Sequence, residues 1–293
     1  MIYTCTTNPS LDYYLELSEP LTEGQVNRTT VEHYEAGGKG VNVSIALSHM
    51  SIPSVALGFL GGFPRNYYLS FLSGHRSVQP IFTRIEDNTR INIKVTKTKT
   101  AVNARGPKVT NEEYERFKKY LERIYANDYF VLSGNVQDDL QERMLDAVQT
   151  LIYDGVKVML DTNPCIMKGA LEYRPYLVRL NEFDLPYLTE KKDLKEALKD
   201  IYHQGASHVL YNNEDEVYLC CEEGIYHTRA DETEDAIGRD DSLIAGFLLA
   251  KQRGATGKEA FTYAVAASQI NYLEEHNPDD LEGFASQLDV QKL

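Results

Sequence analysis

Short apolar runs alternate with helix-patterned stretches from residue 41 to residue 250, and that alternation constrains the fold more than any other feature. Residues 54–59, 81–84, 129–132, 158–161 and 208–211 read as strands. Between them, Thr110-Asn111-Glu112-Glu113 forms a capping-box pattern, with Tyr114, Phe117, Leu121 and Ile124 following at helical spacing. Residues 144–153 and 193–203 also read as helices, as do 257–273 and 281–288 near the C-terminus. Strands interleaved with helices in this way predict an α/β fold with a mostly parallel sheet. No linker, repeat or low-complexity tract interrupts the 293 residues, so a single domain over 1–293 is expected.

Three segments break the pattern. Leu11, Tyr13, Leu15 and Leu17 alternate with Asp12, Tyr14 and Glu16, which is the period of a one-sided strand. Residues 27–35 are a second polar–apolar strand, and Ile91, Ile93 and Val95 mark a third. An open sheet with one apolar face needs something to cover it.

The formal charge of −14, from 30 basic and 44 acidic residues, argues against nucleic acid as a partner. An anionic substrate would need a local basic pocket. No apolar run of about 18 residues and no secretory leader is read, so neither a membrane span nor export is expected. Cys5, Cys165, Cys220 and Cys221 form no CxxC pair and read as free buried thiols of a cytoplasmic protein.

Two glycine-bearing turns run into helices. Ile237-Gly238-Arg239-Asp240-Asp241-Ser242 leads into an apolar helix ending near Gly254. A helix start carries unpaired N–H groups and partial positive charge, which suits a phosphoryl group. Asp241 at this junction could take a proton from an attacking hydroxyl. It or Ser242 could equally be no more than an N-cap. The second turn is Ala36-Gly37-Gly38-Lys39-Gly40-Val41-Asn42, whose spacing is not that of a Walker motif. Its glycines permit close backbone approach, Lys39 and the helix start favour an anion, and Asn42 can reach hydroxyls. The plainer reading is a glycine-rich turn with a surface lysine. Asp12, in Asn8-Pro9-Ser10-Leu11-Asp12, is either a solvent-facing strand residue or an acceptor for sugar hydroxyls.

Taken together, Gly37-Gly38-Lys39-Gly40-x-Asn42, Asn8-Pro9-x-x-Asp12, Thr89-Arg90-x-Asn92-x-Lys94 and Gly238-x-x-Asp241-Ser242 with Ala245-Gly246-Phe247 resemble the motifs of ribokinase-like, phosphofructokinase-B carbohydrate kinases. The resemblance runs nearly end to end and points to the 1-phosphofructokinase and tagatose-6-phosphate kinase branch. It implies a three-layer ribokinase-like sandwich with a small β lid, inserted at about 11–35 and 89–104, that often forms a homodimer surface. It further implies ATP and Mg2+, with fructose 1-phosphate or tagatose 6-phosphate as the acceptor. In that scheme Asp241 is the base, and backbone amides of Gly238, Arg239 and Asp240 form the anion hole. Asp12, Gly38 and Asn42 orient the sugar, and Lys39 and Arg90 hold its phosphate. Asn181, Asp184, Tyr211 and Asn213 fall on the nucleotide and metal side.

Several positions depart from the family pattern. Asp240 replaces the last glycine of Gly-Ala-Gly-Asp, and Arg239 could compensate it or contact a phosphate. The motif Lys-Pro-Asn-x-x-Glu becomes Arg179-Leu180-Asn181-Glu182-Phe183-Asp184. Both glycines of a nucleotide-side Ser-x-Gly-x-x-Gly are lost in Tyr211-Asn212-Asn213-Glu214-Asp215-Glu216, which reads better as an ordinary tight turn. These changes leave a second reading open, a kinase-derived phosphosugar-binding or regulatory protein that has lost ATP. Arg90 disfavours a nucleoside or ribose kinase.

Overall fold

In a computed structural model of the chain, residues 1–96, 98, 100–213, 215–229, 238–270 and 278–293 are described. The strands are β1 (Ile2–Thr6), β2 (Ser10–Leu17), β3 (Thr29–Gly37), β4 (Ser54–Gly61), β5 (Val78–Ile85), β6 (Arg90–Val95), β7 (Thr100–Val102), β8 (Tyr129–Ser133), β9 (Lys157–Asp161), β10 (Leu177–Leu180), β11 (His208–Asn212), β12 (Glu216–Cys221), β13 (Gly224–Arg229) and β14 (Gln291–Lys292). The helices are α1 (Lys39–His49), α2 (Pro64–Leu72), α3 (Asn111–Leu121), α4 (Gln141–Tyr153), α5 (Pro164–Ala170), α6 (Leu185–Leu188), α7 (Leu194–Gln204), α8 (Arg239–Gln252), α9 (Gly257–Ile270) and α10 (Pro278–Gln287). Ile237, Glu214 and residues 271–273, which belong to the sequence patterns above, lie outside the described residues.

Among the described residues the main sheet runs β14-β13-β12-β11-β10-β9-β8-β1-β4-β5. Its strands are parallel from β5 to β11, and β12 to β14 are antiparallel. The inner strands are unbroken apolar runs because helices cover both faces. On one face, side chains of β8–β11 such as Phe130, Leu160, Val178 and Tyr211 pack with Phe117, Met144, Val148 and Leu198 of α3, α4 and α7. On the other, Val131, Met159, Leu177 and Leu210 pack with Val43, Leu47, Phe247 and Ala264 of α1, α8 and α9. The result is the expected three-layer sandwich. Helix α8 is buried on all sides from Asp241 to Ala250. A Cβ on Gly246 would come within 2.4 Å of the Tyr263 carbonyl, so glycine permits the close α8–α9 crossing.

A separate four-stranded sheet, β3-β2-β6-β7, forms from the segments that broke the α/β pattern. Strand β2 pairs antiparallel with β3 and parallel with β6. Most of β3 is exposed, and Val31, Tyr34, Ile93 and Val102 present apolar surface.

The capping box at Thr110 is complete: its side chain accepts from the Glu113 amide, and Glu113 accepts from the Thr110 amide. Two expectations are corrected. Cys165 is exposed rather than buried, because it lies on a short helix at the surface; its thiol donates to Gln141. Helix α8 starts at Arg239, with Gly238 as N-cap at φ 81°, so neither Asp241 nor Ser242 is the cap. That left-handed φ suits glycine, and it brings Asp241 into the first turn of the helix.

Candidate active site

In a parallel sheet, side chains alternate between faces, so residues of one parity converge at one end of one layer. Ser133, Asp161, Arg179 and Asn212 lie at or next to the C-terminal ends of β8, β9, β10 and β11. Their parity matches Val131, Met159, Leu177 and Leu210, so all four side chains point to the α1–α8 side. Ligands of open α/β sheets bind at this end of the strands.

The four residues are hydrogen-bonded to one another and to the two helix starts. Ser133 Oγ donates to Asp161 Oδ2 at 2.9 Å. Arg179, buried with its side chain 2% exposed, donates from Nη1 to Asp161 Oδ1 at 3.2 Å and from Nε to Asn212 Oδ1 at 2.8 Å. Its Nη2 pairs with Asp240 Oδ1 at 2.5 Å, and Asn212 Nδ2 donates to the same oxygen at 2.9 Å. Lys39 Nζ stands 3.2 Å from Asp161 Oδ2 and 3.7 Å from Asp240 Oδ2. Burial pulls the Lys39 ammonium toward a lower pKa, but Asp161, Asp241 and Asp240 together outweigh it and raise the value. Lys39 therefore stays a cation.

Asp241 is held differently. Its Oδ2 accepts from Asn42 Nδ2 at 2.9 Å, while the buried Oδ1 has no hydrogen-bond partner. Burial is the main force raising its pKa to about 7, with Asp161 and Asp240 adding to it and Lys39 and Asn42 opposing. A carboxylate with one free oxygen, poised near neutrality at a helix start, has the protonation and geometry of a general base. Helix geometry leaves the first-turn amides of α8 without intrahelical acceptors, a feature that favours anions at a helix start.

The lid forms a second polar network. Asp12 Oδ1 accepts from Asn92 Nδ2 and from Ser10 Oγ, each at 2.7 Å. A Cβ on Gly37 would sit 2.7 Å from Asp12 Oδ2, so glycine at this position leaves room for the carboxylate. Asn92 Oδ1 accepts from the Ala104 amide. Arg90 donates to the Ala104 and Asn8 carbonyls, and its buried Nε has no hydrogen-bond partner. Asn8 Nδ2 reaches the Arg105 carbonyl, tying the loop at 103–107 to the base of the lid.

Several sequence-based expectations meet different surroundings. Lys39, expected on the sugar's own phosphate, is paired with Asp161 and Asp240 of the carboxylate cluster. Asn42, expected on sugar hydroxyls, holds Asp241. Gly38 caps α1 with φ 138° and has no side chain to contribute. Tyr211, expected on the nucleotide side, is buried in the core facing α3, α4 and α7; strand alternation puts its neighbour Asn212 in the site instead. Asn213 Oδ1 accepts from the Asp215 and Glu216 amides, so it builds the turn. Asn181 and Asp184 brace each other, side chain to backbone amide in both directions. The compensating cation for Asp240 is Arg179 from β10. Asp161, Ser133 and Asn212 do not stand out in the sequence. The signal available was a polar residue closing an apolar strand, with parity pointing to the helix that starts at Arg239.

A buried carboxylate poised near neutrality at a helix start, two cations beside it and a polar lid make a site suited to phosphoryl transfer. The model of the pfkB family carbohydrate kinases matches residues 6–277, and the chain belongs to that family. It is 31% identical over 285 residues to a 1-phosphofructokinase of Borreliella burgdorferi, covering 94% of this chain and 92% of that one. A D-tagatose-1-phosphate kinase of Bacillus licheniformis is 28% identical over the full length of both. The phosphofructokinase-2 of Escherichia coli in complex with fructose-6-phosphate has the same fold, with TM-score 0.88, 22% identity and 98% of each chain covered. The protein is a carbohydrate kinase.

Proposed function

We propose that the protein transfers the terminal phosphoryl group of ATP to the free primary hydroxyl of a ketohexose 1-phosphate, fructose 1-phosphate in the first instance. The observation that carries this reading is the free, buried Oδ1 of Asp241 beside Lys39 and the first turn of α8. Asp241 takes the proton of the acceptor hydroxyl as its oxygen attacks phosphorus. Lys39 and the amides at the start of α8 receive the charge that develops on the transferring group. Asp12 and Asn92 accept from and donate to sugar hydroxyls, and the unused donors of Arg90 fork to the phosphate on C1. Asn42 acts through Asp241, fixing its orientation.

Asp184 suits magnesium. Its Oδ2 accepts from the Asn181 amide, which orients the carboxylate. A small, reluctantly dehydrated cation held through water and donor phosphates needs no more than one or two such carboxylates. When bound, the metal neutralises phosphate charge on the donor.

The relatives named for 1-phosphates favour that position of the phosphate over the 6-position. A coupled assay with fructose 1-phosphate, tagatose 1-phosphate and tagatose 6-phosphate tests this. Turnover at least about tenfold faster per KM is expected with a 1-phosphate. Equal or better turnover of tagatose 6-phosphate would sink the assignment. Arg90→Met should raise KM for the phosphosugar roughly 10- to 100-fold, the loss of one charged hydrogen bond of about 1.5–3 kcal/mol. An unchanged KM would remove Arg90 from the phosphate site.

The exposed apolar residues of β3, β6 and β7 support a homodimer through the lid. Sedimentation of Val31→Asp alongside the unaltered protein checks this; an unshifted dimer in the variant argues against it.

A further inference from the structure

The carboxylate of Asp240 sits where three donors converge. Arg179 Nη2 and Asn212 Nδ2 bind Oδ1 at 2.5 and 2.9 Å, and Lys39 Nζ is 3.7 Å from Oδ2. These donors come from β10, β11 and the start of α1, and they meet at the start of α8, whose first-turn amides have no intrahelical acceptor. A guanidinium, an ammonium and an amide N–H converging beside a helix start make an anion site by chemistry alone. Each would serve a phosphate oxygen as well as a carboxylate oxygen. Arg179 is buried and held on its other side by Asp161, so the site is built independently of its occupant. Asp240 itself is one-third exposed, so one side of its carboxylate faces solvent.

We propose that Arg179, Asn212 and Lys39 form a phosphoryl subsite that Asp240 fills from within, making Asp240 a specificity-determining residue for the phosphoryl donor. An incoming phosphate must displace a like charge, so the subsite admits only donors with enough other contacts to compensate. This rests on the kinase reading for its biological meaning. Its test does not, because it is read by anion binding without turnover.

Calorimetric titration with inorganic phosphate at pH 8 and fixed ionic strength compares the unaltered protein with Asp240→Asn and Asp240→Gly. Both variants should bind phosphate about tenfold or more tightly, since a like charge at contact distance has been removed. The double variants adding Arg179→Met should lose that gain. They remove both members of the Arg179–Asp240 pair, and Asp161 keeps Lys39 as its counter-ion. Thermal melts establish folding, and the isosteric Asp240→Asn carries the comparison where the glycine variant does not fold. Magnesium-ATP titrated into the same proteins should show a gain of the same sign. Unchanged phosphate affinity in the single variants, or a gain that survives Arg179→Met, overturns the proposal.

Discussion

Replacing Asp241 by asparagine is expected to cut turnover by a factor of about 10²–10⁴ while making the protein more stable above neutral pH. Asparagine keeps the shape and can still accept from Asn42, but it takes no proton. The stability change follows from the raised pKa. In the folded protein Asp241 titrates at about 7 against an ordinary value of 3.8, so between those values the folded state holds a proton that the unfolded state has released. Stability therefore falls as pH rises through that window and stays lower above it. Asparagine removes the penalty. The gain is on the order of 2–4 kcal/mol at pH 8, since each tenfold difference in proton affinity between the two states is worth about 1.4 kcal/mol. Below about pH 4 the two proteins should be equally stable. Urea titrations at pH 4 and pH 8 measure this, alongside kcat. The pH profile of the unaltered enzyme should rise to a plateau with an apparent pKa near 7, and that limb should vanish in the residual activity of the variant. Wild-type turnover in Asp241→Asn, or a variant less stable at pH 8, would refute the assignment of a buried base.

The second large effect belongs to Arg179. Its guanidinium bridges Asp161, Asp240 and Asn212 in the interior. Arg179→Met should lower stability by about 3–5 kcal/mol at pH 7.5, because two carboxylates lose their buried counter-ion. Although desolvation opposes it, the Asp240 pKa is held below the usual carboxylate range, first by Arg179 and then by Lys39. A depressed folded pKa contributes stability that is present above the unfolded value and lost as pH falls through the folded one. The difference between variant and unaltered protein should accordingly shrink as pH drops below about 4. A loss under about 1 kcal/mol at pH 7.5 would mean that the site relaxes around the missing cation.

The alternating strand and helix pattern, the lid segments and the capping box at Thr110 were legible in the sequence, because each is a local periodicity or a side-chain–backbone pairing within a few residues. The glycine turns before Lys39 and Asp241 were legible as well, since glycine at a helix start has few other uses. Strand parity relative to the layers was not, and it separates Tyr211 from Asn212. A tyrosine and an asparagine side by side on a strand must face opposite layers, and only the sheet order says which layer holds α8.

The amino-acid sequence by itself determined the fold class, the family and the two helix starts between which chemistry could occur. Tertiary structure alone decided the partners: Asn42 on Asp241 across 199 positions of chain, Lys39 on Asp161 across 122, and Arg179 on Asp240. Backbone propensity acts over a few residues, whereas charge pairing acts through space. A lysine or an arginine in a motif therefore carries no record of which carboxylate the folded chain will bring to it.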